Sequence, residues 1–236
     1  KRVHLELGGK APVVIFDDAN LEAACEWIAV AGYFNAGQDC TAATRVYAEK
    51  AIHDRLVARI VELTREIRVG DPFAPSTDMG SLISIAQRDR VAGFVERALA
   101  DGAKALTGGA AAAPKGLEGG AFFAPTILAG CRQSSEIVQQ EVFGPVLAIL
   151  PFEGEAEAVR LGNDTPYGLA GSVWTRDVRR AHRVADLGRV GNQLHLDRGQ
   201  GKSPDGVQAA QGRAERHRKG GRHGVADVVQ LGEEGQ

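Results

Sequence analysis

An α/β fold on a mainly parallel sheet flanked by helices is predicted by three features of the sequence. Strand-like apolar runs alternate with amphipathic helical stretches as far as about Leu187. The run APVVIF at residues 11–16 is apolar throughout, as suits a strand buried within a sheet. The chain of 236 residues, 44% hydrophobic and 25% charged, can also bury a substantial core.

The elements follow in order. VHLEL at residues 3–7 alternates as the end of a strand would, and Gly8 and Gly9 break it. No turn, cap or start methionine precedes it, so the sequence is expected to be cut from something longer. After APVVIF, Asp17 and Asp18 lead into a helix over about residues 21–34. Cys40 comes next, in the polar, glycine-containing segment NAGQDCTA.

RVYAEK at residues 45–50 reads as a short strand. A long helix over 52–67 should set Leu56, Ile60 and Leu63 on one face. VGDPFAPSTDMGSL is loop by composition, and QRDRVAGFVERALADGAK is a helix ending at Gly102. Beyond Gly188 the character changes, for residues 189–236 contain no Phe, Trp, Tyr, Cys, Met or Ile. So little apolar surface cannot offset the roughly 1–2 kcal/mol of backbone entropy lost per ordered residue. A poorly ordered tail is predicted over 188–236.

The formal net charge of -2 gives no reason to expect nucleic acid or an anionic membrane as the main partner. No apolar stretch approaches the ~20 residues of a membrane span, and KRVHLELGGK lacks the features of a signal peptide, so a cytoplasmic protein is expected. The three cysteines, Cys25, Cys40 and Cys131, lack C-x-x-C spacing, which argues against a disulfide framework or a structural metal. Thiolate chemistry is the remaining role. Cys40 is the candidate, lying in a polar loop with Gly37 before it and Ala42 and Ala43 behind. Cys25 sits in a helical pattern beside Ala23 and Ala24 as a small core residue would, and Cys131 has no acid or base beside it in sequence.

FNAGQDC followed by TAATR, ELGGK some thirty residues earlier and EVFGP at 141–145 resemble the active-site motifs of the NAD(P)-dependent aldehyde dehydrogenase superfamily, in that family's order. APVVIFDDA, FFAPTIL and NDTPYGLAGSVWT fit the same template, and the likeness covers roughly residues 1–187. The resemblance implies that residues 1–9 end a Rossmann cofactor domain otherwise absent, that 10–187 form the catalytic domain, and that 188–236 are aberrant.

It implies chemistry too. An aldehyde carbon is a poor hydride donor until a nucleophile makes it tetrahedral, and a thiolate does this well. Cys40 is then the nucleophile and Glu6 the base that activates water to hydrolyse the resulting thioester. Glu141 and Phe143 match the family's contacts to the nicotinamide ribose of NAD or NADP, and Leu7, Gln87 and Arg90 fall at further cofactor positions; a solvated helix face is the alternative for Gln87 and Arg90. An asparagine completing the oxyanion hole would lie upstream of this sequence.

Asp39, directly before the thiol, resembles the branch acting on aminoaldehydes such as 4-aminobutyraldehyde, where a carboxylate could attract a cationic group. Its alternative role is that of a turn former. The intact family member is expected to be a homo-oligomer with a small-molecule aldehyde as substrate.

The family's C-terminal motifs are not recognisable after Gly188, for which a reading-frame change is the hypothesis; translation of the other two frames checks it. An inactive truncated remnant is the competing function, and turnover by this chain alone is not expected. A cysteine hydrolase is disfavoured, because His4, His53 and His182 stand in no motif. LDRGQGKS has Leu196 where a phosphate-binding loop needs glycine, and RAERHRKGGRH lies among nearly as many acids.

Overall fold

The structure is a computed structural model that describes Arg2, residues 7–188 and, as backbone, the strands Asn192–Leu196 and Asp227–Gln230. The described strands form one sheet. Counted along the chain they are β1 (Ala11–Ile15), β2 (Ala43–Glu49), β3 (Lys104–Thr107), β4 (Thr126–Ala129), β5 (Val146–Phe152), β6 (Gly171–Thr175), β7 (Asn192–Leu196) and β8 (Asp227–Gln230). Their order across the sheet is β3-β4-β5-β2-β1-β6-β7-β8.

Every pairing from β4 to β7 is parallel, and only the edge strands β3 and β8 run antiparallel. This is the mainly parallel sheet that the alternation of apolar runs and helices predicts. All five residues of β1 are buried, so both of its faces are covered.

Helix α1 (Leu21–Tyr33) starts where the Asn20 side chain accepts from the Ala23 N–H at 3.3 Å. It packs on α2 (His53–Arg65), and the two lie on β2 and β5. Leu56 and Ile60 of α2 are fully buried and Leu63 is half-buried, as the helical spacing requires. Burial of one such side chain contributes about 1.5–3 kcal/mol.

Helix α3 (Ile85–Ala100) begins earlier than the sequence suggests, because the Ser84 hydroxyl caps it by accepting from the Gln87 N–H at 3.1 Å. It ends just before Gly102, whose φ of +96° needs glycine. A short α4 (Glu136–Gln139) follows β4. Helices α5 (Gly154–Asn163) and α6 (Val178–Leu187) pack on one another, α5 lying on β1 and β2 and α6 on β6 and β7.

Within the tail, two short strands are described. The alternating segment NQLHL pairs in parallel with β6 as β7, and β8 pairs antiparallel with β7. The rest of the tail, including most of LDRGQGKS and all of RAERHRKGGRH, lies outside the described residues. So do Glu6 and the other residues of the VHLEL strand before Leu7.

Candidate active site

The thiol candidate follows a run of unusual backbone. Directly after α1, Asn35 and Ala36 have φ of +50° and +55°, and Gly37 follows at +68°. Left-handed backbone costs roughly 1–2 kcal/mol per non-glycine residue, so something must hold it. A reciprocal pair of amides does. Asn35 Nδ2 donates to the Gln38 carbonyl at 2.9 Å, and Gln38 Nε2 donates to the Asn35 carbonyl at 3.0 Å.

Past this turn, Asp39 Oδ1 accepts from both the N–H and the hydroxyl of Thr41, each at 2.7 Å. Asp39 therefore forms a side-chain turn that encloses Cys40, the turn-forming alternative open to it in the sequence. Cys40 itself is half-buried and stands three residues before β2, a central strand of the sheet.

Three motifs far apart in sequence meet here, at glycines. A methyl group on Gly9 would lie 1.9 Å from the Cys40 carbonyl oxygen, and one on Gly37 would lie 2.2 Å from the Gly144 carbonyl oxygen. A methyl group on Gly8 would lie 2.4 Å from Glu141 Oε2, while the Gly9 N–H donates to Glu141 Oε1 at 3.0 Å. ELGGK and NAGQDC thus meet backbone to backbone, as do NAGQDC and EVFGP, while ELGGK meets EVFGP through the Glu141 side chain.

Gly37→Ala is expected to cost about 3 kcal/mol or more in urea unfolding, since strain and clash add. Gly102→Ala is the control, with φ of +96° but nothing within 4 Å of the added methyl. Only the strain remains there, about 1–2 kcal/mol. Equal losses would mean that the Gly37 contact relaxes freely.

Phe143 also has positive φ, +56°, and its ring is 37% exposed. Two side chains of α3 grip the turn that carries it. Gln87 Nε2 donates to the Phe143 carbonyl at 2.7 Å and the Val142 carbonyl at 3.2 Å. Arg90 donates to the Val142 carbonyl at 2.6 Å and the Glu141 carbonyl at 3.0 Å, while its guanidinium lies 4.8 Å from the centre of the Phe94 ring.

Gln87 and Arg90 are thus engaged with the Glu141–Phe143 backbone, while Arg90 stays exposed. Leu7 is 66% exposed beside the glycines. Cys40, Glu141, Phe143, Gln87 and Arg90 belong to one connected region. Glu6, one residue before Leu7 in sequence, lies outside the described residues.

Lys10 and Arg45 are additions that the sequence does not disclose. Lys10 is 3% exposed, and burial, then the nearby Arg45 charge, lower its ammonium from 10.5 to about 7. Glu141 and Cys131 pull in the other direction. Arg45 is fully buried and donates to the carbonyls of Lys10 at 2.8 Å, Leu161 at 3.3 Å and Gly162 at 3.0 Å, and to the Tyr47 hydroxyl at 3.2 Å.

The only sequence signal for either is a cation set directly against an apolar strand, APVVIF after Lys10 and VYA after Arg45. The other two thiols are suppressed. Burial pushes Cys25 up to about 12 and Cys131 up to about 11. Among the described residues no group of three or more His, Cys, Asp or Glu could hold a metal, and no helix is long and apolar enough to cross a membrane.

A mainly parallel α/β sheet thus carries a thiol turn, a glycine pair and a carboxylate turn in mutual contact. Residues 1–231 match the aldehyde dehydrogenase family, and the chain belongs to it. Betaine aldehyde dehydrogenase of Mesorhizobium japonicum is 44% identical over 184 residues, which is 78% of this chain and 38% of that protein.

Among solved structures, betaine aldehyde dehydrogenase from Staphylococcus aureus in complex with NAD+ superposes with a TM-score of 0.78 at 40% identity, covering 80% of this chain and 38% of that one. An apo point mutant of the same enzyme gives the same values. The chain thus spans well under half the length of these relatives.

Proposed function

We propose that this chain carries the thiol half of an enzyme that oxidises an aldehyde to a carboxylic acid with NAD(P)+, with Cys40 as nucleophile and Glu6 as general base. The contact of three motif segments at Gly8, Gly9 and Gly37 is the observation that supports it most directly. Distant segments are brought within van der Waals distance around one half-buried thiol, while the other two thiols are held protonated by burial.

In this reading the Cys40 thiolate adds to the aldehyde carbon, forming a C–S bond and an oxyanion to which the Cys40 N–H donates. A bound nicotinamide supplies the hydride acceptor, and loss of hydride leaves a thioester on Cys40. Glu6 takes a proton from water, whose attack releases the acid and the thiolate. Glu141 fits the cofactor end of this scheme. One carboxylate oxygen is fixed by the Gly9 N–H, and an anion so oriented suits ribose hydroxyls, with the exposed ring of Phe143 beside it.

Leu7 would add contact area, and Gln87 and Arg90 would act on the cofactor through the turn they grip or directly. The NAD+ bound in the Staphylococcus aureus enzyme favours NAD as the cofactor. An aldehyde with a cationic ammonium end is the proposed substrate class, with Asp39 facing its charge. The relatives named for betaine aldehyde support it, because that substrate carries a quaternary ammonium. The net charge of -2 agrees with a small-molecule partner.

Reversible addition needs no cofactor, so the chain itself can be tested. Iodoacetamide labelling read peptide by peptide is expected to mark Cys40 at least about tenfold faster than Cys25 or Cys131. Betaine aldehyde should protect Cys40 at lower concentration than a neutral aldehyde of similar size, and Asp39→Ala should erase that difference. Protection by neither aldehyde would sink the proposal. Equal protection by both in the unmodified chain would remove only the ammonium specificity.

A further inference from the structure

Gln38 touches no reacting group, yet its side chain is committed at both ends. Its Nε2 donates to the Asn35 carbonyl at 3.0 Å, and its Oε1 accepts from the Ile83 N–H at 2.8 Å. The first bond closes the left-handed run at Asn35, Ala36 and Gly37. The second crosses to the loop before α3, one residue ahead of the Ser84 cap. Since α3 also carries Gln87 and Arg90, which grip the Glu141–Phe143 turn, one amide joins the thiol turn to the support of the proposed cofactor turn.

The run it closes is intrinsically unstable. Two non-glycine residues, Asn35 and Ala36, sit at positive φ, so the run persists only while specific bonds hold it. Without the Gln38 amide, the Asn35 carbonyl keeps only its bond from the Gln38 N–H at 3.2 Å, and the Ile83 N–H loses its acceptor. Relaxation of the run toward right-handed backbone would redirect the chain just three residues before Cys40.

We propose that Gln38 is a positioning residue for Cys40: its amide holds the left-handed turn and ties it to the start of α3, so that the thiol is presented to an electrophile by a side chain outside the reaction. This rests on Cys40 being the nucleophile. The effect is one of geometry, which separates it experimentally from a shift in thiol acidity.

The test is the rate of iodoacetamide labelling of Cys40 across pH in the intact chain, whose plateau reports presentation of the thiolate and whose midpoint reports its acidity. Gln38→Met, of similar length but without either hydrogen bond, is expected to lower the plateau about tenfold or more. The midpoint should stay within about half a pH unit. Gln38→Glu keeps the acceptor for the Ile83 N–H and loses only the donor, so its plateau should fall about threefold. Its midpoint should rise, because a new carboxylate disfavours the thiolate.

A plateau in Gln38→Met equal to that of the unmodified chain overturns the proposal. Should the methionine variant fail to fold, as judged by circular dichroism, an undiminished plateau in Gln38→Glu overturns it equally. Failure of the underlying reading looks different, since Cys40 of the unmodified chain would then label no faster than Cys131, and the role of Gln38 would fall with it.

Discussion

Arg45→Met is expected to bring the chain close to unfolding at room temperature. The guanidinium is fully buried and serves three main-chain carbonyls, those of Lys10, Leu161 and Gly162, together with the Tyr47 hydroxyl. Methionine fills much of the volume but donates nothing. Each buried carbonyl left without a donor costs about 1–3 kcal/mol. The Leu161 carbonyl keeps donors in the Asp164 N–H and Gln133 Nε2, so the carbonyls of Lys10 and Gly162 bear the loss, roughly 2–6 kcal/mol against a total stability of about 5–15 kcal/mol for a domain.

Arg45→Lys should recover little of this, because one ammonium cannot reproduce a planar fork that reaches α5 and the Lys10 carbonyl at once. Urea unfolding followed by circular dichroism reads the result. A loss below about 1 kcal/mol for the methionine variant would mean that water reaches the carbonyls and takes over from the guanidinium.

Lys10→Met is expected to act in the opposite direction and stabilise the chain. Burial lowers the folded-state pKa of Lys10 from 10.5 to about 7. Between those values the unfolded chain holds a proton that the folded chain has released, so stability rises with pH across the window. Below about pH 7 both states carry the proton and the full cost of burying it is present.

Removing the amine should therefore add roughly 4 kcal/mol near pH 7, since each tenfold loss of proton affinity on folding corresponds to about 1.4 kcal/mol. The unmodified chain should gain on the variant by about 1 kcal/mol per pH unit between pH 7 and 9. Unfolding midpoints at pH 6, 7, 8 and 9 give the difference. A gap between the two proteins that does not change with pH would show that Lys10 is protonated in the folded chain throughout.

The two predictions concern the residues that the sequence kept hidden, and the reason is physical. Parallel strands buried on both faces leave a local trace, so APVVIF and RVYAEK announced β1 and β2, and the spacing of Leu56 and Ile60 announced α2. Cys40 was legible because a thiol in a polar glycine turn between a helix and a strand differs from the packed surroundings of Cys25. Lys10 and Arg45 carry no such trace. The partners that Arg45 serves, Leu161 and Gly162, are more than a hundred residues away.

The same distance hid the role of the glycines. Gly8 and Gly9 mark the end of a strand in the sequence, while their contacts with Glu141 and Cys40 exist only after folding. Asp39 shows the converse. Its Oδ1 bonds to Thr41 are as local as a turn signal can be.

The position of β1 in the sheet also dictates how the polypeptide must be made. β2 can pair with β1 once residues 43–49 emerge, but the other edge pairs through Val13 with Ser172, Val14 with Val173 and Ile15 with Trp174. A fully apolar strand edge therefore stands open while well over a hundred further residues are synthesised, and such an edge is a template for another copy. Translation that pauses or stops before residue 171 should yield aggregates, so the solubility of C-terminal truncations should change abruptly at β6.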